Sequence, residues 1–192
     1  MSTPSFHTGG QSEQNGLRLV HPETLEGGTM RYRLDVIASC VGDVVQSAGG
    51  WLFDRAVAGW EVNVCLFDAR DARPLRILGA KTLDLTSVLE SIKKTPLDRA
   101  LAVTVDAFAT DARTRATVVD VLNEAGEVAL WGDGWPAELE HRIQVVQHRL
   151  SSAACAFKAH ALAAAAITQD VVSPIESYRA QLGRRRRPAA SG

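Results

Sequence analysis

Apolar and polar positions along this chain switch between two periods, and the switches mark out its elements. Tyr32 to Ala38 carries the β-branched and apolar density of a strand, Ser39 to Asp43 is a turn, the next stretch repeats at helical spacing, and Trp60 to Phe67 returns to strand character. Strand, turn, helix and strand make one βαβ unit, whose first turn lies at the carboxyl edge of a sheet, where open α/β proteins bind ligands. Leu75 to Leu78 then predicts a short strand stopped by Gly79. Ala69 to Pro74 is too short for a parallel crossover of about a dozen residues, so this third strand is expected to be antiparallel to the second or not its neighbour. Thr86 is placed to cap a short helix with Val88, Leu89 and Ile92 on one face, ending before Pro96.

Arg99 to Phe108 is a near-continuous apolar run and predicts a strand buried on both faces. Thr110 or Asp111 caps a helix in which Ala112, Ala116, Val119 and Leu122 share a face, closed by Gly126, and Glu127 to Trp131 is a further strand. From Pro136 no glycine or proline intervenes until Pro174. Leu139, Ile143, Val146, Leu150 and Phe157 lie on a stripe stepping by fours and threes, which predicts one long helix packed on the sheet or, in the sharper reading, self-associating. A second helix is expected over 174–182. The fold class that follows is α/β, a Rossmann-like three-layer sandwich with a mostly parallel or mixed sheet and a long C-terminal helical extension. Its parts are an N-terminal tail over 1–29, an α/β domain over 30–135, helices over 136–183 and a basic tail over 184–192.

Composition narrows the function classes. A hydrophobic share of 46% with 22% charged residues is that of a globular domain, and a net charge of −1 exerts no general pull toward nucleic acid or anionic membrane. Cys40, Cys65 and Cys155 form no CxxC and are odd in number, which suits a reducing, cytoplasmic setting. The first residues lack the basic start and apolar stretch of a signal peptide, and no run reaches the roughly 18 apolar residues of a membrane span. The four arginines 184–187 stand without interleaved aromatics, a weak basis for nucleic-acid binding.

Candidate ligand-binding residues follow from position. In the first turn these are Ser39, Cys40, Gly42 and Asp43, where backbone N–H groups at a helix start can receive an anion, although the GxGxxG dinucleotide fingerprint is absent. Asp68, Asp106 and Asp133 fall at strand ends and would share an edge with Asp43 if the strands are parallel. Trp131 and Trp135 bracket a Gly-Asp-Gly turn and would suit an aromatic clamp or simply pin a helix. Gly49 and Gly50 lie two turns into the first helix, where they permit close packing or a kink. His141 and His148 are seven residues apart, too far for a helical zinc pair, so no metal is assigned; cofactor and catalytic residues stay unknown.

Gly42-Asp43-Val44, Leu52, Ala58-Gly59 and Glu61-Val62-Asn63-Val64 together resemble the opening βαβ of sugar-nucleotide-dependent glycosyltransferases with two Rossmann-like halves. That resemblance covers about 30 residues and implies a topology; the second, nucleotide-binding half has no counterpart here. The leading expectation is a non-catalytic binding or protein-interaction module, docking or self-associating through its C-terminal helices, with a small ligand at the sheet edge. The alternatives are a small enzyme acting on a nucleotide or sugar nucleotide, and a nucleic-acid accessory protein using the arginine tail.

Overall fold

The computed structural model describes residues 32–68, 71–94, 99–169 and 171–181; both expected tails lie outside them. Strand β1 (Arg33–Cys40) runs directly into helix α1 (Val41–Val57), and a turn at Ala58-Gly59 returns the chain to β2 (Glu61–Asp68). The two strands are parallel, with Arg33 opposite Glu61 and Cys40 opposite Asp68, as the βαβ pattern requires. Next come α2 (Arg73–Ile77), β3 (Lys81–Thr82), α3 (Leu85–Lys94) and β4 (Arg99–Thr104). They are followed by α4 (Val105–Thr110), α5 (Ala112–Asn123), β5 (Glu127–Trp131), a 3-10 turn (Ala137–Leu139), β6 (Gln144–Arg149), α6 (Ser152–Ala164) and β7 (Ile175–Gln181). The result is an α/β fold around a mixed seven-stranded sheet, ordered β3-β2-β1-β4-β5-β7-β6. Strands β1 to β5 are parallel, and β7 is antiparallel to both neighbours.

Two apolar cores flank the sheet because strand side chains alternate between its faces. Leu34, Val36, Val62 and Val64 point to one face and pack with α1, α2 and α6 through Val45, Trp51, Leu52, Leu75 and Leu162. Ile37, Cys65, Leu101 and Val103 point to the other and meet Val88 and Ile92 of α3, Phe108 of α4, and Val118 and Leu122 of α5. One buried acid interrupts this pattern near the amino end. Asp35 is fully buried and bonded to Arg33 (2.9 Å) and Asn63 (3.2 Å), with Arg99 at 3.2 Å. Arg55 stacks over Trp60 at 4.1 Å and reaches Glu127 at 3.4 Å. Burial raises the Glu127 carboxyl above its ordinary value, against the pull of Arg55.

The middle of helix α1 is tied to β7 and α6. Gly50 and Trp51 donate their backbone N–H groups to the Glu176 carboxylate of β7 at 2.9 and 2.8 Å, while Lys158 of α6 donates to Gln46 O and to Glu176, each at 2.6 Å. Gln46 O and Gly50 N–H are helical i and i+4 partners, so Lys158 and Glu176 add side-chain partners to backbone groups at the middle of the helix. A Cβ on Gly50 would overlap Leu150, falling 2.6 Å from its Cδ2. The glycine pair thus serves the close approach of another segment, one of the two uses its position suggested.

Several expectations need correction. Leu75 to Leu78 belongs largely to α2, started by Pro74 in its first turn; this helix is the crossover that makes β3 parallel to β2. The apolar run from Arg99 ends as a strand at Thr104, whose hydroxyl accepts from Ala107 N (3.2 Å) and caps α4. Asp84, not Thr86, caps α3 by accepting from Ser87 N at 2.9 Å. Among the described residues there is no long C-terminal helix: 144–149 and 175–181 are strands of the same sheet, and 152–164 is the α-helix between them. The stripe dissolves with it. Leu139, Ile143 and Leu150 are buried in the chain's own core, Val146 packs against it, and Phe157 stacks on Phe53 at 4.4 Å. A self-associating seam built from them is therefore unsupported.

Candidate functional site at the carboxyl edge

The chain reverses its direction of growth across the sheet between β1 and β4, because β2 and β3 extend one way from β1 and β4 and β5 the other. The helix leaving β1 covers one face and the helices leaving β4 cover the opposite one. Such a reversal opens a crevice at the strands' carboxyl ends.

On its β1 side stand Ser39 and Cys40, both half-buried, then Gly42 and Asp43 in the first turn of α1. Gly42 has no positive φ, and a Cβ there would meet only Ile167 Cδ1 at 3.5 Å and Cys40 Sγ at 3.8 Å, ordinary contacts. Glycine is thus not forced by the backbone. Ile167, just past α6, roofs this turn and lines a recess of about 480 Å³ with Ala159, Leu162, Ala163, Ala166 and Val172. Across the crevice, Thr104 and Trp131 are paired in register, and Asp106 is exposed in the first turn of α4. Gly132 (φ 115°) lets the chain leave β5 close to Val105, which a Cβ would approach to 3.4 Å.

The structure therefore places Asp43, Asp68, Asp106 and Asp133 on one edge, at the ends of β1, β2, β4 and β5, as parallel strands predict. Sharing an edge is not convergence: among the described residues no three His, Cys, Asp or Glu side chains gather closely enough to hold a metal ion. The residues present do not fit a resident metal, so no step is derived through one. The tryptophans form no clamp. Trp131 is 2% exposed within the core, while Trp135 is half-buried under Arg179 at 5.0 Å. Asp111 caps α5, accepting from Thr114 N at 2.8 Å; burial pushes its carboxyl up, but the bonds from Thr114 and Arg113 outweigh that and hold it low.

His148, a candidate in no site, is buried with Nε2 2.8 Å from Asp54, which also accepts from Ser151 Oγ at 2.6 Å. The serine lies on the aspartate rather than on the histidine, so the trio ties α6 to α1 and is not a nucleophile array. Sequence reasoning passed over Arg115 and Glu138, which line a second recess of about 320 Å³ beside Phe108 and Pro136. Charged residues on a short amphipathic helix and in a turn read as solvent-facing, and nothing in their spacing marks them.

No protein-family model matches the chain, and no curated protein matches it in sequence. Solved structures do. The deacetylase of the teicoplanin biosynthesis pathway, in complex with teicoplanin, aligns over 80% of this chain and 100% of its own at 11% identity, with a TM-score of 0.53. An antimicrobial pseudoaglycone deacetylase aligns over 69% and 81% at 17% identity (TM-score 0.46), and 4-carboxy-2-hydroxymuconate hydratase from Pseudomonas putida over 84% and 100% at 12% (TM-score 0.48). At 11% identity the likeness to the teicoplanin deacetylase shows the fold and not the reaction. The expectation of a non-catalytic module docking through C-terminal helices is corrected: among the described residues that region forms β6, α6 and β7 of the sheet, and the fold is shared with an enzyme. The glycosyltransferase resemblance reduces to its βαβ topology, which β1, α1 and β2 do form.

Proposed function

We propose that the chain is an enzyme that removes an acyl group from a sugar conjugate or sugar nucleotide, on a Rossmann-like scaffold, in the crevice between β1 and β4. The observation that carries the reading is the reversal itself, with Cys40 and Asp43 on one side and Asp106 on the other. The teicoplanin deacetylase, whose fold this chain shares, supplies the reaction class. In amide hydrolysis water attacks the acyl carbon, a base takes its proton, and the amine leaves protonated, so one positioned carboxylate is the minimum the protein must supply. Asp43 is assigned that role because the first turn of α1 holds it at the crevice, half-buried. The Ile167 recess adjoins the same turn and offers the acyl chain the apolar side chains of Leu162, Ile167 and Val172 beside Thr168 and Gln169.

The test is release of free amine and carboxylate from N-acetylglucosamine, its UDP conjugate and N-octanoylglucosamine, followed by mass spectrometry. Turnover of at least one, lost in Asp43→Asn with the fold retained, is expected. No release from any of them, or undiminished turnover by Asp43→Asn, refutes the assignment.

A further inference from the structure

The second recess at the carboxyl edge is not used by the reaction proposed above. It lies between α4–α5 and the loop after β5, holds about 320 Å³, and is lined by Val105, Phe108, Arg115, Gly134, Pro136 and Glu138. That volume sits at the small end of ligand sites, suited to a molecule of amino-acid size. Val105 and Phe108 are 5% and 2% exposed, so the apolar part of the wall is fixed. The guanidinium of Arg115 is held against that wall: Nη2 donates to Ala109 O at 2.7 Å, and its carbon lies 5.5 Å from the Phe108 ring centre. One donor is spent on Ala109, and the others remain for a ligand. Glu138 comes from a different element, the 3-10 turn, and makes no hydrogen bond or ion pair among the described residues; none joins it to Arg115.

Two opposite charges thus line one recess without neutralising each other, over an apolar wall. Both side chains are exposed, so a simple anion there would meet Glu138, a simple cation would meet Arg115, and a neutral apolar ligand would engage neither charge. A zwitterion satisfies both. We propose that this recess binds an α-amino acid or the amino-acid end of a larger molecule. Its carboxylate is taken by Arg115, its ammonium by Glu138, and its side chain lies against Val105, Phe108 and Pro136. The binding stands without the enzyme reading; only its use as a substrate subsite rests on that reading.

The experiment is a calorimetric and NMR titration of the full chain with L-leucine, N-acetyl-L-leucine, which lacks the ammonium, and L-leucinamide, which lacks the carboxylate. Leucine is expected to saturate a site whose shifts map to 105–115 and 134–138, and each analogue is expected to bind at least about 10-fold more weakly. Arg115→Gln and Glu138→Gln, with unchanged far-UV circular dichroism, are expected to weaken leucine by a similar factor. No saturable leucine binding, equal binding of the analogues, or indifference to both substitutions overturns the proposal, whatever the acyl-release assay gives. Where turnover is found, free leucine that raises KM identifies the amino acid as part of the substrate; leucine that changes kcat alone identifies it as a separate effector.

Discussion

Replacing Glu176 by alanine takes the acceptor away from three donors at once: the Lys158 ammonium at 2.6 Å and the Gly50 and Trp51 amides at 2.9 and 2.8 Å. The Lys158 and Glu176 side chains are 3% and 2% exposed, so water does not take over. Breaking a buried pair from one side costs about 3–5 kcal/mol. The two amides lose this acceptor as well, which moves the loss toward the upper end of that range without adding in full, because all three donors belong to one network. For a chain of this size about 4–5 kcal/mol lowers Tm by roughly 10–15 °C. Glu176→Gln keeps an acceptor for one amide but not the countercharge, and falls between wild type and alanine. Lys158→Met costs less than Glu176→Ala, since the carboxylate retains both amides, and the double variant loses less than the two singles together. Urea melts followed by tryptophan fluorescence, with the Trp51 amide bonded to Glu176 itself, measure all four. A loss below about 1 kcal/mol for Glu176→Ala, or a double variant worse than the sum, refutes this account.

Gly50→Ala is expected to destabilise by up to about 2 kcal/mol: overpacking against Leu150 outweighs the helix-propensity gain of roughly 1 kcal/mol. Thermal melts show this, and pairing it with Leu150→Ala should recover part of the loss; a stabilised single variant contradicts it. The Cys65 thiol is pushed up from 9.0 to about 11, by burial first and then by Asp84 and Asp111. Iodoacetamide at pH 8 should therefore modify Cys40 and Cys155 well before Cys65, as peptide mapping would read. The folded chain keeps a Cys65 proton that the unfolded chain releases, so this group's stabilising contribution is complete below pH 9 and falls away between 9 and about 11; Cys65→Ala should flatten that part of the pH–stability curve.

The residues show why part of the fold was legible and part was not. From β1 to β2, and from the Asp111 cap to β5, local pattern and tertiary role agree: strands buried on both faces read as apolar runs, and an N-cap stands where the helix starts. β7 fails that agreement. Its inward residues are Glu176, Tyr178 and Ala180, a period of two hidden because the first is a charge buried for Lys158 and α1. Leu139, Ile143, Val146 and Leu150 step like a helix only because a 3-10 turn, a loop and a strand follow one another at matching intervals. At the candidate site the shared edge of the aspartates followed from parallel strands. The recess of Arg115 and Glu138 depends on how α5 and the loop after β5 meet, which no local pattern encodes.

The sheet order also governs when the molecule can be finished during synthesis. β7 lies between β5 and β6, so β6 has no partner until residues more than twenty positions later have been made. The amide of Trp51 waits longer still, for an acceptor 125 residues downstream. A ribosome-bound chain that has made β1 to β5 carries an open edge on β5, and a first helix without its Glu176 acceptor, until β7 arrives. Assembly of this protein is therefore sealed from its C-terminal side, inward from β7 rather than outward from β1.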